Sequence, residues 1–431
     1  MIVHEENAVS PDRPALVVGY SRSLFLELAR LLPAGSIVLL DEPEGARKGK
    51  VAEVAQDPGC RELIVEEYLR PGGADTFFLR HPGLRPALVV PAHDYAVPAA
   101  ARLAERYGLP GAGFGAAQVL RDKELTRAVA AAAGIANPVS RPVASRADVA
   151  ALWAQVGGPL ILKPANRQGA IGTRVIRDRT EISEAWAECA ADVAEAEYCL
   201  PERDLAPRML AEQFISGQEF SVEMLYRAGE RAFGNATAKV LYEGPRPVEL
   251  GHHVPAPVPP ALIATLLHET ERLLAAAGFG TGMVHCEWIV SGGVPYLVEC
   301  AGRLPGDFIA ELISGVYEFD VLGAYAELLR GGDPRCPSEP VQAAVSWHGR
   351  AEPGLVAAID GADEAAAIPG VRTCRVLVAP GQVIGPLRSS WDRAAVVTAY
   401  APSPAQARRI AQDAINTIKV TTVPPALAAG A

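Results

Sequence analysis

Lysine, cysteine and long apolar runs are all scarce in this chain of 431 residues. Of 40 cationic residues only six are lysine: Lys48, Lys50, Lys123, Lys163, Lys239 and Lys419. Arginine serves wherever any cation will do, so a lysine beside a glycine loop carries weight, because a compact ammonium suits phosphate oxygens. The seven cysteines are odd in number, scattered and free of CxxC spacing, which excludes a disulfide framework or a cysteine metal site. No stretch approaches 18 uninterrupted apolar residues, and MIVHEENAVS lacks the basic-then-apolar pattern of a secretory signal. A soluble, cytoplasmic protein with no membrane contact is expected. Positive charge is also in deficit: the net charge of −10 argues against nucleic acid or anionic lipid as a partner. What is plentiful is apolar residue content, 49%, ample for a large core and, at this length, two to four domains.

The first hundred residues alternate apolar strands with helical patterns. PALVVGY, SIVLLDEP, RELIVEEY and RPALVVPAHDY read as strands of a parallel, doubly wound sheet, and this first domain is expected to end near Pro110. Gly111, Gly113 and Gly115 follow a helix and lack GxGxxG spacing, so they read as a turn. PLILKPA delivers Lys163 to a strand end. The loop Asn166–Thr173, with Gly169 and Gly172, can fold backbone amides over phosphates or serve as an ordinary hairpin turn. MLAEQFISGQEFSVEMLY reads as strand, Gly217 turn, strand, with Glu212 and Glu219 flanking the turn. PRPVELGHHVPAPVPP reads as a proline-rich loop holding His252 and His253. Beyond residue 335, short strands and helices predict a small α+β domain.

The stretch richest in chemistry is HCEWIVSGGVPYLVECAGRLPGD, His285 to Asp307. It reads as strands His285–Val290 and Tyr296–Cys300 joined by the turn 291–295. Symmetry about Gly293 sets Glu287 against Glu299, roughly 5 Å apart at Cβ, an unfavourable pairing of like charges. In apolar strands that pairing makes sense with a divalent cation between the carboxylates, and oxygen donors suit Mg²⁺. Two solvent-facing glutamates on an edge hairpin are the alternative. His285, in period with Glu287, either supports that carboxylate from behind or fills the core, with the core role favoured.

Lys123 in RDKELTR, Lys163 before the glycine loop, Glu212 and Glu219 around GQEFSVE, and Glu287 and Glu299 before Arg303 together resemble the ATP-grasp superfamily. Within it, VELGHHVPAPV and ECAGRLPGDFIAEL are most similar to carboxylate–amine ligases, in particular bacterial L-amino-acid (dipeptide) ligases. The resemblance implies an α/β chain with a Rossmann-like domain over 1–110 and a two-lobed ATP-grasp domain over 111–334. Its mobile lid lobe would span about 140–215, and a C-terminal α+β domain 335–431. It implies Lys123 and Lys163 on the ATP phosphates, Gly169, Gly172 and Thr173 in a closing loop, and Glu212 with Gln213, Phe214 and Ile215 at the adenine. Glu219 would take the ribose, and Lys239 would contact phosphate or acyl phosphate. Glu287 and Glu299 would hold two Mg²⁺ ions, for which Mn²⁺ can substitute. Arg303 would stabilise the acyl phosphate, and His252 or His253 would bind the amino-acid substrate, with Gly306 and Asp307 beside it.

The implied reaction is ATP-dependent amide formation between small amino-acid-like substrates through an acyl phosphate, releasing ADP and phosphate, in a homodimer. One residue departs from the family habit: Ala301 stands where an asparagine commonly adds a metal ligand. The rival readings are a bicarbonate- or formate-activating ligase of the carboxylase or purine-biosynthesis kind, and a catalytically impaired nucleotide-binding protein.

Overall fold

The computed structural model describes residues 8–48, 51–194 and 208–424; Cys199 lies outside them. Four strands open the chain: β1 (Ala15–Val18), β2 (Ile37–Asp41), β3 (Cys60–Val65) and β4 (Leu88–Pro91). They form a parallel sheet in the order β3-β2-β1-β4, as the alternation of apolar strands and helices predicts. Every residue of β1, β2 and β4 is buried, which fits strands covered by helices on both faces. β4 is shorter than RPALVVPAHDY suggests. It stops at Pro91, so His93 and Asp94 leave the sheet at its carboxyl edge, where open α/β sheets place ligands.

A second, antiparallel sheet of β5 (Ser140–Val143), β6 (Leu160–Pro164), β7 (Arg174–Ile176) and β8 (Met209–Gln213) runs in the order β5-β8-β6-β7. Helices Arg146–Val156 and Ile182–Ala194 cover it, with Val149, Leu152, Leu160, Leu162 and Ile176 forming its own small core.

The third sheet is the largest. It contains β9 (Gln218–Arg227), β10 (Glu230–Leu241), β11 (Glu249–Val254), β12 (Gly282–Ser291) and β13 (Val294–Ala301). Next come β14 (Ala343–Gly349), β15 (Gly354–Asp360), β16 (Val371–Val376), β17 (Val383–Ile384), β18 (Ala395–Ala401) and β19 (Lys419–Val423). Three of these, β14, β18 and β16, extend the third sheet to eight strands in the order β13-β12-β9-β10-β11-β14-β18-β16. The others form a separate three-stranded sheet, β17-β15-β19.

The structure departs from two sequence expectations. Glu212 and Glu219 do not flank a hairpin turn: β8 and β9 belong to different sheets, and Gly217 lies in the crossing between them. A Cβ on Gly217 would sit 2.2 Å from the Val290 carbonyl oxygen, so close backbone approach selects glycine. The proline-rich stretch is not a loop throughout, because Glu249–Val254 is a strand within the eight-stranded sheet.

The largest core cluster joins Phe25, Leu28 and Leu39 of the first domain to Leu312, Ile313, Val316 and Leu328 on helices Ile309–Tyr317 and Val321–Leu329. Each such side chain contributes about 1.5–3 kcal/mol on burial. That shared core seats the carboxyl edge of the parallel sheet against the third sheet.

Candidate active site

A cleft of about 1420 Å³ opens where the three layers meet. The β12–β13 hairpin supplies its central carboxylates. Its turn has two residues, Gly292 and Gly293, with φ of 58° and 82°, the backbone that a tight type I′ hairpin demands. A two-residue turn by itself would misalign the glutamates. One extra residue, Val298, bulges out between the pairs Trp288–Leu297 and Glu287–Glu299, and the expected opposition of Glu287 and Glu299 is restored. The bulge also frees the Val298 carbonyl to accept from Arg127 at 2.7 Å.

Each glutamate has a lysine. Lys123 Nζ lies 2.7 Å from Glu299 Oε2, and its place is set by the helix Lys123–Ala132, capped by the Asp122 carboxylate. Lys239, expected on phosphate or acyl phosphate, is buried at the centre of three carboxylates: Glu287 at 2.7 Å, Glu219 at 3.0 Å and Glu249 at 3.3 Å. Burial would lower its pKa, but these acids outweigh it and hold the ammonium well above its ordinary range. Burial likewise pushes Glu287 up, and Lys239 and His285 hold it well below the usual carboxylate range. His285 is no mere core filler. It bridges Glu223 at 3.0 Å and Glu287 at 3.2 Å, and directly across the hairpin from it stands Ala301.

Glu212 is 1% exposed, with both oxygens engaged: Arg127 donates at 2.9 and 3.0 Å, Ser140 at 3.0 Å, and Lys163 Nζ lies at 2.7 Å. Burial would raise its pKa, yet Arg127 and Lys163 bring it down to about 2. The carboxylate therefore aims Lys163 into the cleft and keeps no free oxygen for a base edge, while Gln213, Phe214 and Ile215 line the cleft wall beside it. Gly169 and Thr173 line the cleft too, whereas Gly172 is held in the loop behind them at φ 64°.

Arg303 enters on the bend after β13. Its guanidinium donates to Asp94 at 3.0 Å and to the Leu304 carbonyl at 2.7 Å. Burial raises Asp94, but Arg303 and Arg121 pull it down to about 2. Of the histidine pair, period-two alternation sends His252 into the cleft and His253 to the opposite face, where its ring meets Trp347 edge-on at 6.2 Å. His253 as a substrate contact is thereby corrected. Gly306 and Asp307 line the cleft, but Asp307 is already gripped by the fork of Arg393. His252, Asp307 and His348 hold potential ligand atoms within 4.8 Å of one another. Both Asp307 oxygens accept from Arg393, however, and that fixed charge opposes a cation there.

Sequence reasoning passed over Asp94, Arg127, Glu249 and Arg393. Arg127 alone left a local signal, since it lies four residues after Lys123 on the same helical face.

Comparison with known proteins fits this geometry. Residues 156–311 match the ATP-grasp domain family, and the chain is an ATP-grasp ligase. Behind that domain, residues 350–423 match L-amino acid ligase C-terminal domain 2. Uncharacterized protein y4rH of Sinorhizobium fredii is 27% identical over 405 residues, 91% of this chain and 79% of that one. Carnosine synthase 1 of Gallus gallus is 27% identical over 377 residues, 77% of this chain but only 40% of the relative. The crystal structure of L-amino acid ligase from Bacillus licheniformis superposes with a TM-score of 0.74 at 20% identity, covering 95% of this chain and 99% of that one, which establishes the shared fold. Among the described residues no helix is long and apolar enough to cross a membrane.

Proposed function

We propose that this protein is an ATP-dependent carboxylate–amine ligase that forms an amide bond between amino-acid-like substrates. The observation that carries the reading is the opposition of Glu287 and Glu299 in one cleft with Lys123, Lys163, the glycine loop and Arg303. The C-terminal domain match favours amino acids over bicarbonate or formate.

Hard oxygen donors and a surplus of buried negative charge fit Mg²⁺ at Glu287 and Glu299. Bound there, two such ions would neutralise the β- and γ-phosphates; Mn²⁺ has the same donor preference. Lys123 and Lys163 supply point charges for phosphate oxygens, and the Gly169–Thr173 loop excludes water when closed. The backbone at Gln213–Ile215 faces the base, and Glu219 faces the ribose. A substrate carboxylate attacks the γ-phosphorus and ADP leaves, giving an acyl phosphate. The amine nitrogen then attacks the acyl carbon, the C–O bond to phosphate breaks, and the nitrogen loses a proton. Arg303 donates to the oxygens on which charge gathers in both steps. His252 faces the substrate end of the cleft. A homodimer belongs to the same reading and is checked by sedimentation.

The test is ADP and phosphate release with single amino acids, amino-acid pairs and bicarbonate, with mass detection of the product. Turnover that requires amino-acid pairs and disappears in Glu287→Ala is expected. Turnover on bicarbonate alone overturns the substrate class, and undiminished turnover in Glu287→Ala overturns the metal role.

A further inference from the structure

The short segment Ser389–Arg393 crosses from the C-terminal domain into the cleft and touches three functional parts at once. It is stiff: Ser389 caps a single helical turn, Asp392 accepts from the backbone of Arg388 and Ser389, and Arg393 Nε donates to the Ser390 carbonyl at 2.7 Å. At the glycine loop, the Ser390 amide donates to the Gly169 carbonyl at 3.3 Å. The Trp391 indole lies beneath Gly169, where a Cβ would come within 3.1 Å of Nε1, and it is 64% exposed. At the acid cluster, the Ser390 hydroxyl donates to Glu249 at 2.7 Å, and Glu249 in turn holds Lys239. At the Arg303 bend, Arg393 grips Asp307 with two donors, at 3.0 and 2.5 Å.

The last contact has a backbone reason. Asp307 and Phe308 both adopt positive φ, 53° and 65°, a conformation non-glycine residues hold only when the surroundings impose it. Arg393 holds the Asp307 carboxylate in this bend and Arg375 stacks over the Phe308 ring at 5.2 Å, and the same bend carries Arg303. We propose that Ser389–Arg393 is a clasp whose positioning residues Ser390 and Arg393 tie the seating of the glycine loop to the placement of Arg303. The proposal rests on the nucleotide reading of the cleft. The clasp acts by position, holding the glycine loop and the Arg303 bend in register, and a misplacement of about 1 Å at a reacting group can cost 10²-fold in rate.

The test uses the full-length chain and the variants Arg393→Met, Arg393→Lys and Trp391→Phe, with MgADP affinity by calorimetry, tryptophan emission and steady-state kinetics. In Arg393→Met, kcat is expected to fall about 100-fold while MgADP affinity stays within about twofold, and Arg393→Lys restores about tenfold of the loss. Adding MgADP to the parent protein changes tryptophan emission, and Trp391→Phe abolishes the change. Parent-like kcat in Arg393→Met, or an emission change that survives in Trp391→Phe, overturns the clasp. Failure of the parent protein to bind MgADP overturns the nucleotide reading instead. Should Arg393→Met melt below the assay temperature, Ser390→Ala decides: it removes one hydroxyl, is expected to lower kcat about tenfold at unchanged MgADP affinity, and overturns the clasp if kcat is unchanged.

Discussion

Arg303 donates to Asp94 across 209 residues of sequence, from the bend after the antiparallel hairpin to the carboxyl edge of the parallel sheet. The N-terminal domain thus orients the guanidinium that the proposed chemistry needs. Asp94→Asn keeps the volume and removes the charge. It is expected to lower kcat about 10- to 100-fold with nucleotide affinity unchanged, because Arg303 loses its orientation rather than its charge. Paired kcat and MgADP-binding measurements check this, and a parent-like kcat contradicts it.

Glu212 and Asp94 make acid stability measurable. Both have folded pKa values of about 2, below the roughly 4 of an unfolded chain. Depressed carboxylates contribute stability that is complete above the unfolded pKa and lost as pH falls through the folded one. Each contributes about 2–3 kcal/mol, so stability should decline between about pH 4.5 and pH 2. Glu212→Gln leaves Arg127 and Lys163 buried without their anion, which costs about 3–5 kcal/mol at neutral pH and flattens the acid limb. Urea melts at pH 7, 5 and 3.5 read both effects; an unchanged acid limb in the variant would be the contrary result.

Gly217 is a steric test of the crossing between the second and third sheets. Alanine there drives a methyl into the Val290 carbonyl, and relief requires moving the β12 backbone. A loss of about 1–3 kcal/mol is expected, typical of overpacking. Gly293→Ala introduces no such contact but strains a positive φ. Thermal melts of the two variants separate steric from conformational cost, and a neutral Gly217→Ala refutes the close approach.

His252 and His253 differ by face. Burial and the nearby Lys239 and Arg393 hold His252 low despite Asp307, while burial and Arg408 bring His253 to about 4. Both rings are therefore neutral at working pH. His252→Ala is expected to raise KM for the amino-acid substrate about tenfold or more, while His253→Ala costs stability through its contact with Trp347. Kinetics and a melt on each variant would expose any reversal of the two roles.

Much of the site was legible because its signals are local. A lysine at a strand end, glycines in a loop and two glutamates equidistant from Gly293 are facts of order and spacing, and period-two alternation carries them into geometry. Even so, the opposition of Glu287 and Glu299 came out right through a compensation the spacing did not contain: a shorter turn offset by a bulge at Val298. Lys239 could be suspected from the scarcity of lysine, but not its position among three acids on three different strands.

The sequence by itself determined the alternation of strands and helices, the parallel first sheet and the carboxylate pair of the hairpin, because those depend on neighbours within a few residues. Tertiary structure alone decided that Gly217 joins two sheets rather than two strands of one, and that β11 runs through the proline-rich stretch. It also decided that His252 and not His253 faces the cleft, and that Asp94 and Arg393 hold the Arg303 bend from opposite ends of the chain. The reason is physical: a buried charge must find its counterion somewhere in the fold, and nothing in the sequence around Arg303 says how far away that partner lies.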